Sequence, residues 1–61
     1  MTAETTLTES LEFFKKLRLG AEKNLAVALT RGQVVEVANI AKKIRCYETS
    51  IQLIEEALKN D

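Results

Sequence analysis

Two short basic segments contain the residues of this chain that are best suited to chemistry. Residues 15–18 read Lys-Lys-Leu-Arg, and residues 42–45 repeat this order as Lys-Lys-Ile-Arg. Ammonium and guanidinium groups bind phosphate, and a guanidinium can do so through two parallel hydrogen bonds. The ring of Tyr47 is suited to stacking on a base. The segments predict an anion site for a nucleotide, a nucleic acid or an acidic protein surface: Lys15, Lys16, Arg18, Lys42, Lys43, Arg45 and Tyr47.

The composition argues against catalytic and metal chemistry. The 61 residues include no histidine and a single cysteine. Without these groups the sequence offers no Cys-His or Ser-His-Asp centre, no tetrahedral zinc site and no intrachain disulfide. Acid–base catalysis by carboxylates needs a concave pocket, which a hairpin of this size does not form on its own. We therefore expect a non-enzymatic protein with no catalytic residue, no metal ligand and no cofactor.

The charge balance and the hydropathy pattern limit the partners and the location. Nine acidic residues balance nine basic ones, so the chain lacks the global positive field of a dedicated nucleic-acid binder. No apolar stretch approaches the roughly 18 residues that a membrane span needs, and no signal-peptide pattern opens the sequence. We expect a cytoplasmic protein with no membrane partner. Small autonomous chains of this kind are often carried by phages or plasmids, which we take as an expectation of origin.

Apolar residues recur at helical spacing in both halves of the chain. In the first half they occupy positions 7, 11, 14, 21, 25 and 28, and Arg18 fills the one remaining slot. In the second half the same alternation of three and four runs unbroken from Val37 to Leu58. This pattern is typical of a helix packed along another helix. Between the halves, Gly32 is suited to the left-handed conformation that ends a helix.

The predicted fold is all-α, an antiparallel two-helix hairpin that assembles into a homo-oligomeric helical bundle. Residues 1–6 are predicted to be a disordered tail, and 7–61 the hairpin, with a helix over 7–31, a turn around Gly32 and a helix over 33–59. Thr6 is the expected N-cap of the first helix, with Glu9 as its capping-box partner. In such a hairpin, residues whose numbers sum to about 64 lie level, so the two basic segments form a central belt about 15 Å long. The level of Arg18 also predicts an ion pair with Glu48, within one chain or between chains.

An α-β-β-α chain is the alternative fold. Residues 34–37 and 44–47 are rich in β-branched side chains and would form the two strands. Against this, residues 38–43 contain no Gly, Pro or Asp to make the hairpin turn between the strands. The helical repeat also runs through both segments without a change of phase.

The width of the apolar surface predicts association between chains. On the first helix the apolar arc spans roughly 200°, about twice the stripe that one partner helix covers. A second apolar row accompanies the seam of the second helix, yet a lone hairpin gives each helix only one neighbour. Gly20 would mark either a close approach of helices or a kink, and Asn24 would either fix the register between chains or lie at the rim of the interface. The predicted oligomer interface contains Phe13, Phe14, Leu17, Asn24, Val27, Val35, Cys46, Leu53 and Ala57.

These features favour one function and leave two alternatives. The leading expectation is a homodimer or higher oligomer that acts by protein–protein contact, as a regulator, an inhibitor or an assembly adaptor, with itself and another protein as partners. The first alternative is an oligomeric anion binder that sequesters a nucleotide or binds nucleic acid through the basic belt. The second is a purely structural oligomerisation hairpin that belongs to a longer protein.

Overall fold

The computed structural model describes residues 2–60 as two α-helices joined by a short turn. Helix α1 spans Ala3–Thr30 and helix α2 spans Val34–Lys59. The helices pack side by side in a hairpin whose backbone measures 44 × 16 × 12 Å. The predicted all-α hairpin is thus confirmed. The α-β-β-α alternative is wrong, because both proposed strands lie inside α2.

The first helix begins earlier than the sequence predicted. Thr2 is its N-cap, and the Thr2 hydroxyl accepts a hydrogen bond from the backbone N–H of Thr5 at 3.1 Å. Thr6 lies inside the first turn, where its own N–H donates to the Thr2 carbonyl oxygen at 3.1 Å. Residues 3–6 are therefore helical rather than a disordered tail, and Thr6 forms no capping box with Glu9. Met1, the rest of that predicted tail, and Asp61 lie outside the described residues.

The turn follows the Schellman pattern that the position of Gly32 predicted. Gly32 has a φ of +66°, the left-handed conformation that only glycine adopts without strain. Its N–H donates to the carbonyl of Leu29 at 3.1 Å, and the N–H of Gln33 donates to the carbonyl of Ala28 at 3.0 Å. These two bonds satisfy carbonyl groups that the end of α1 would otherwise leave unpaired. The chain reverses here within three residues.

The core of the hairpin is a single thin seam between the helices. In the described chain, only Ala21, Ala28 and Ile51 are buried, and the other residues of the apolar repeat are half-buried. Phe14 and Tyr47 pack across the seam with their ring centroids 6.4 Å apart. A core of this size gives a single hairpin little apolar burial to offset the entropy of ordering the chain.

Replacement of Gly32 by alanine tests the turn. We expect Gly32→Ala to lower the free energy of unfolding by about 1–2 kcal/mol, because alanine pays the left-handed penalty at this position. Thermal unfolding followed by circular dichroism measures the effect. Gln33→Ala is the matched control, since Gln33 makes no side-chain capping bond and should unfold near the wild-type temperature. An equal effect of the two substitutions would contradict the role assigned to Gly32.

Candidate functional site

The hairpin has two broad faces, one on each side of the seam. In an antiparallel helix pair, the residues that flank the seam on one side of α1 share a face with the corresponding residues of α2. One side, which we call the Gly20 face, carries Ser10, Phe13, Leu17, Gly20, Asn24, Val27, Asn39, Lys43, Cys46, Ser50, Leu53 and Ala57. The other side, which we call the Glu48 face, contains Lys15 and Glu22 of α1 and Arg45 and Glu48 of α2.

The two faces differ in charge. Of the residues named for the Gly20 face, only Lys43 is charged, although Lys16 also reaches the middle of that face and Arg31 and Glu36 extend it at the turn. The Glu48 face carries charged residues from the open end of the hairpin to its middle: Glu12, Lys15, Glu22, Arg45, Glu48, Glu55 and Lys59. Charged side chains suit a surface that stays in water, and their depletion is typical of the centre of an interface. The charge pattern therefore singles out the Gly20 face as the candidate interaction surface.

Exposed apolar side chains occur on both faces, but in different surroundings. Phe13 is 58% exposed and Leu53 is 62% exposed on the Gly20 face. Leu19, Leu29 and Val34 are similarly exposed or more so on the other side of the hairpin, where Leu19 lies among charged residues and Leu29 and Val34 lie near the turn. Isolated exposed leucines are ordinary on protein surfaces. Exposure alone does not separate the two faces, whereas exposure together with the smaller number of charged residues on the Gly20 face does.

Most of the predicted interface residues lie on the Gly20 face. The exception is Phe14. Phe14 is half-buried in the seam against Tyr47, so its ring serves the fold of the single chain. Val35 is 73% exposed and lies five helical turns before Leu53, so the two side chains point in the same direction, at the outer edge of the Gly20 face. Eight residues therefore share the face: Phe13, Leu17, Asn24, Val27, Val35, Cys46, Leu53 and Ala57.

A groove of about 280 Å³ lies at the middle of the Gly20 face. Residues of both helices line it. The space is open because Gly20 has no side chain and the neighbouring Ala21 has a short one. Its walls are formed by Lys16, Leu17, Gly20, Ala21, Asn24, Ile40, Lys43 and Tyr47. A Cβ atom added at Gly20 would meet no atom within 4 Å. The groove is therefore open space that the chain itself does not fill.

The glycine at position 20 destabilises α1 and has no compensating structural role within the single chain. Within the described residues, the one glycine with a positive φ is Gly32, so Gly20 is an ordinary helical residue. A glycine in a helix interior costs about 1 kcal/mol relative to alanine. No contact inside the hairpin requires the missing side chain. The sequence predicted a close helix approach at Gly20, and within one chain α2 leaves this position open.

The structure brings two of the six predicted basic residues to the groove. Lys16 and Lys43 line it together with Tyr47. Lys15 and Arg45 lie on the Glu48 face and Lys42 lies on the outer side of α2, since neighbouring residues of a helix point about 100° apart. The basic belt is thus a ring around the waist of the hairpin rather than one patch.

Arg18 and Glu48 do not form an ion pair within the described part of the chain. Arg18 is half-buried on the seam, and Glu48 is exposed on the face named after it. The long aliphatic stem of an arginine can cover apolar surface while its guanidinium stays in water. Such packing accounts for an arginine in an otherwise apolar repeat. The version of this pair that joins two chains stays a prediction.

Among residues 2–60, no group of three histidine, cysteine, aspartate or glutamate side chains is placed to hold a metal ion. In the same part of the chain, neither helix is apolar over a sufficient length to cross a membrane. Comparisons with protein-family models, with curated proteins and with solved structures gave no match to the chain.

Proposed function

We propose that this chain is a non-enzymatic helical module that associates with further copies of itself through the Gly20 face and acts by protein–protein contact. The observation that carries the proposal is the exposure of Phe13 and Leu53 on a face whose middle carries only two charged residues, Lys16 and Lys43. A regulator, an inhibitor or an assembly adaptor of this size needs no pocket of its own. It needs one surface for self-association and a second for its target.

The free energy gained by burying apolar side chains favours the packing of a second copy against the Gly20 face. Fully burying a phenylalanine or leucine side chain stabilises a protein by roughly 1.5–3 kcal/mol. The hairpin leaves these side chains in water while burying three residues of its own seam. Association would supply the apolar burial that one thin seam lacks. It would also link folding to concentration, because any contact that binds only the folded form raises its stability.

The dimensions of the face suit a dimer. The hairpin is 44 Å long and 16 Å wide, or about 700 Å² in outline, and stable interfaces bury roughly 800 Å² per partner. Two hairpins packed face to face form a four-helix bundle, in which each helix gains a second neighbour. Such a pairing leaves the charged Glu48 face outside. That face, with Leu19 exposed among charges and Leu29 exposed near the turn, is suited to contact with another protein.

Anion binding is a second candidate function, and the groove is the observation that favours it. Lys16, Lys43 and Tyr47 line one depression together with the amide side chain of Asn24. Two ammonium groups and a phenol hydroxyl can all donate hydrogen bonds to phosphate oxygens. A nucleotide or a nucleic-acid backbone would then occupy the groove. This function competes with self-association for the same space, so the two candidates predict different outcomes.

Self-association is tested with a charge placed on either face. Leu53→Glu puts a carboxylate into the proposed interface, where burial of an unpaired charge is costly, and we expect it to shift the protein towards the 6.8 kDa mass of one chain. The wild type should show at least twice that mass by light scattering at micromolar concentration. Its unfolding temperature should rise with concentration.

Leu19→Glu is the matched control for that experiment, because Leu19 is similarly exposed but lies on the Glu48 face. We expect this variant to keep the wild-type mass. A wild-type protein that stays monomeric, with an unfolding temperature independent of concentration, would contradict the proposed function. Equal dissociation of the two variants would show that the Gly20 face is not the surface used.

Anion binding is tested by charge reversal at the groove. If the second function holds, Lys16→Glu together with Lys43→Glu should abolish the binding of adenosine triphosphate measured by calorimetry at low salt. Lys15→Glu together with Arg45→Glu changes the net charge equally on the Glu48 face and should leave groove binding largely intact. Equal losses in both pairs would indicate a diffuse field rather than a site. No binding by the wild type would exclude the nucleotide as the occupant.

A further inference from the structure

The unfilled groove and an exposed aromatic side chain lie on the same face, seven residues apart along α1. We propose that, in the self-associated form, Phe13 of each copy enters the Gly20 groove of the other copy. The two copies would be related by a two-fold axis that crosses the helices at right angles. This inference rests on the proposed function, and it names the residue that the partner copy contributes to the groove.

The groove matches a phenyl ring in size and chemistry. A cavity of roughly 150 Å³ takes up benzene, and the groove offers about 280 Å³. Leu17, Ala21 and Ile40 provide apolar walls. Lys16 and Lys43 also line the groove, and the ammonium of a lysine can lie over the negative face of an aromatic ring. The groove therefore has an attractive group for an aromatic side chain as well as room for it.

The side chain of Phe13 is in a suitable position to contact a second copy of the chain. Its ring packs edge-on against Phe14 with centroids 5.8 Å apart, and the side chain remains 58% exposed. Phe13 lies two helical turns before Gly20, about 10 Å along the helix axis. It therefore cannot fill the groove of its own chain, but it can reach the groove of a neighbour.

Reciprocity fixes the arrangement of the two copies. In a two-fold interface, if Phe13 contacts the Gly20 groove of the partner, the partner's Phe13 contacts the groove of the first copy. This requires the two α1 helices to run antiparallel and to cross the axis midway between Phe13 and Gly20. If the axis ran parallel to the helices instead, Phe13 would stay level with Ser50, away from both grooves. The occupied groove therefore selects the antiparallel arrangement.

The same axis passes close to the single cysteine. Leu17 and Tyr47 line the same groove from opposite helices, so the midpoint of the α1 contact is level with Tyr47 on α2. Cys46 is the neighbouring residue and is exposed on the Gly20 face. The Cys46 side chains of the two copies therefore meet across the axis. The parallel arrangement would hold them at opposite edges of the bundle, too far apart for a disulfide.

A substitution that fills the groove tests whether Phe13 of a second copy occupies it. Gly20→Leu meets no atom of its own chain at Cβ and replaces a poor helix former with a good one. Without a partner in the groove, this variant should be more helical and at least as strongly associated. With Phe13 of a second copy in the groove, we expect the dissociation constant from sedimentation to rise at least tenfold, because the space is already taken.

Ala38→Leu is the control for that experiment, because it adds the same side chain at an exposed position of the Glu48 face. It should leave the dissociation constant within about twofold of wild type. Circular dichroism confirms that each variant remains helical. Unchanged or tighter association of Gly20→Leu, with helicity retained, would overturn the proposal.

A double-mutant cycle tests whether Phe13 is the occupant. Phe13→Ala should by itself weaken association at least tenfold. When the groove is already blocked by Gly20→Leu, loss of the Phe13 ring should have little further effect, because two residues in contact are not additive. Independent effects that multiply in the double variant would show that some other group occupies the groove.

Cross-linking through Cys46 tests the direction of the two copies. Diamide takes two electrons and two protons from two thiols to form one disulfide, and we expect it to convert the wild type into a covalent dimer on a non-reducing gel. A chain with Cys46→Ser and Gln52→Cys carries its thiol on the opposite face and should stay uncross-linked under the same conditions. Cross-linking of both chains at the same rate would indicate random collision and contradict the arrangement.

The outcomes separate this inference from the proposed function. A monomeric wild type would contradict both the proposed function and this inference. A wild-type dimer that dissociates on Leu53→Glu but forms no Cys46 disulfide keeps the proposed function and overturns the antiparallel arrangement. A dimer in which Gly20→Leu has no effect also keeps the function and overturns the occupied groove.

Discussion

Close packing of two helices along one narrow seam is the constraint on which this structure depends. Ala21 and Ala28 are small enough to bring the helices together, and Ile51 is the one large side chain that this contact buries. A two-helix hairpin can cover only one stripe of each helix, because no third element lies above or below the pair. Every other apolar residue remains partly in water. The composition of each face then determines whether these residues stay exposed or pack against another chain.

The seam and the turn could be predicted from the sequence because each depends on a local rule. A repeat of three and four residues defines one face of a helix, and Gly32 has the one side chain that permits a φ of +66° at the helix end. The start of α1 was less certain, since Thr2 and Thr6 are both able to cap, and the earlier threonine adds a full turn. The strand alternative was wrong because the helical repeat outweighs the β-propensity of the residues after Gly32.

The basic segments show what a linear reading of the sequence misses. Lys42 and Lys43 are adjacent in the chain, yet one lies on the outer side of α2 and the other lines the groove. A run of four residues on a helix points in nearly every direction, so a basic run predicts a ring and not a patch. The groove itself could not have been predicted from α1 alone. It needs Ile40 and Tyr47 of α2 as its second wall, and their position depends on the level at which the helices pair.

Symmetry gives a physical reason why a face with few charges favours a second copy over an unrelated protein. Near a two-fold axis each residue lies close to its own counterpart, so any charge there would meet the same charge. Leu17 and Cys46 are uncharged at that level, whereas Lys16 lines the groove there and has to extend its ammonium away from the axis into water. Lys43 lies three to four residues from the axis, and the antiparallel arrangement places it opposite Ser50 of the other copy, whose hydroxyl can accept a hydrogen bond from it. An unrelated partner would impose no such rule, and a carboxylate opposite Lys43 would serve it as well. Lys43 therefore lies where self-pairing permits a charge, whereas Lys16 can be accommodated only with its ammonium in water.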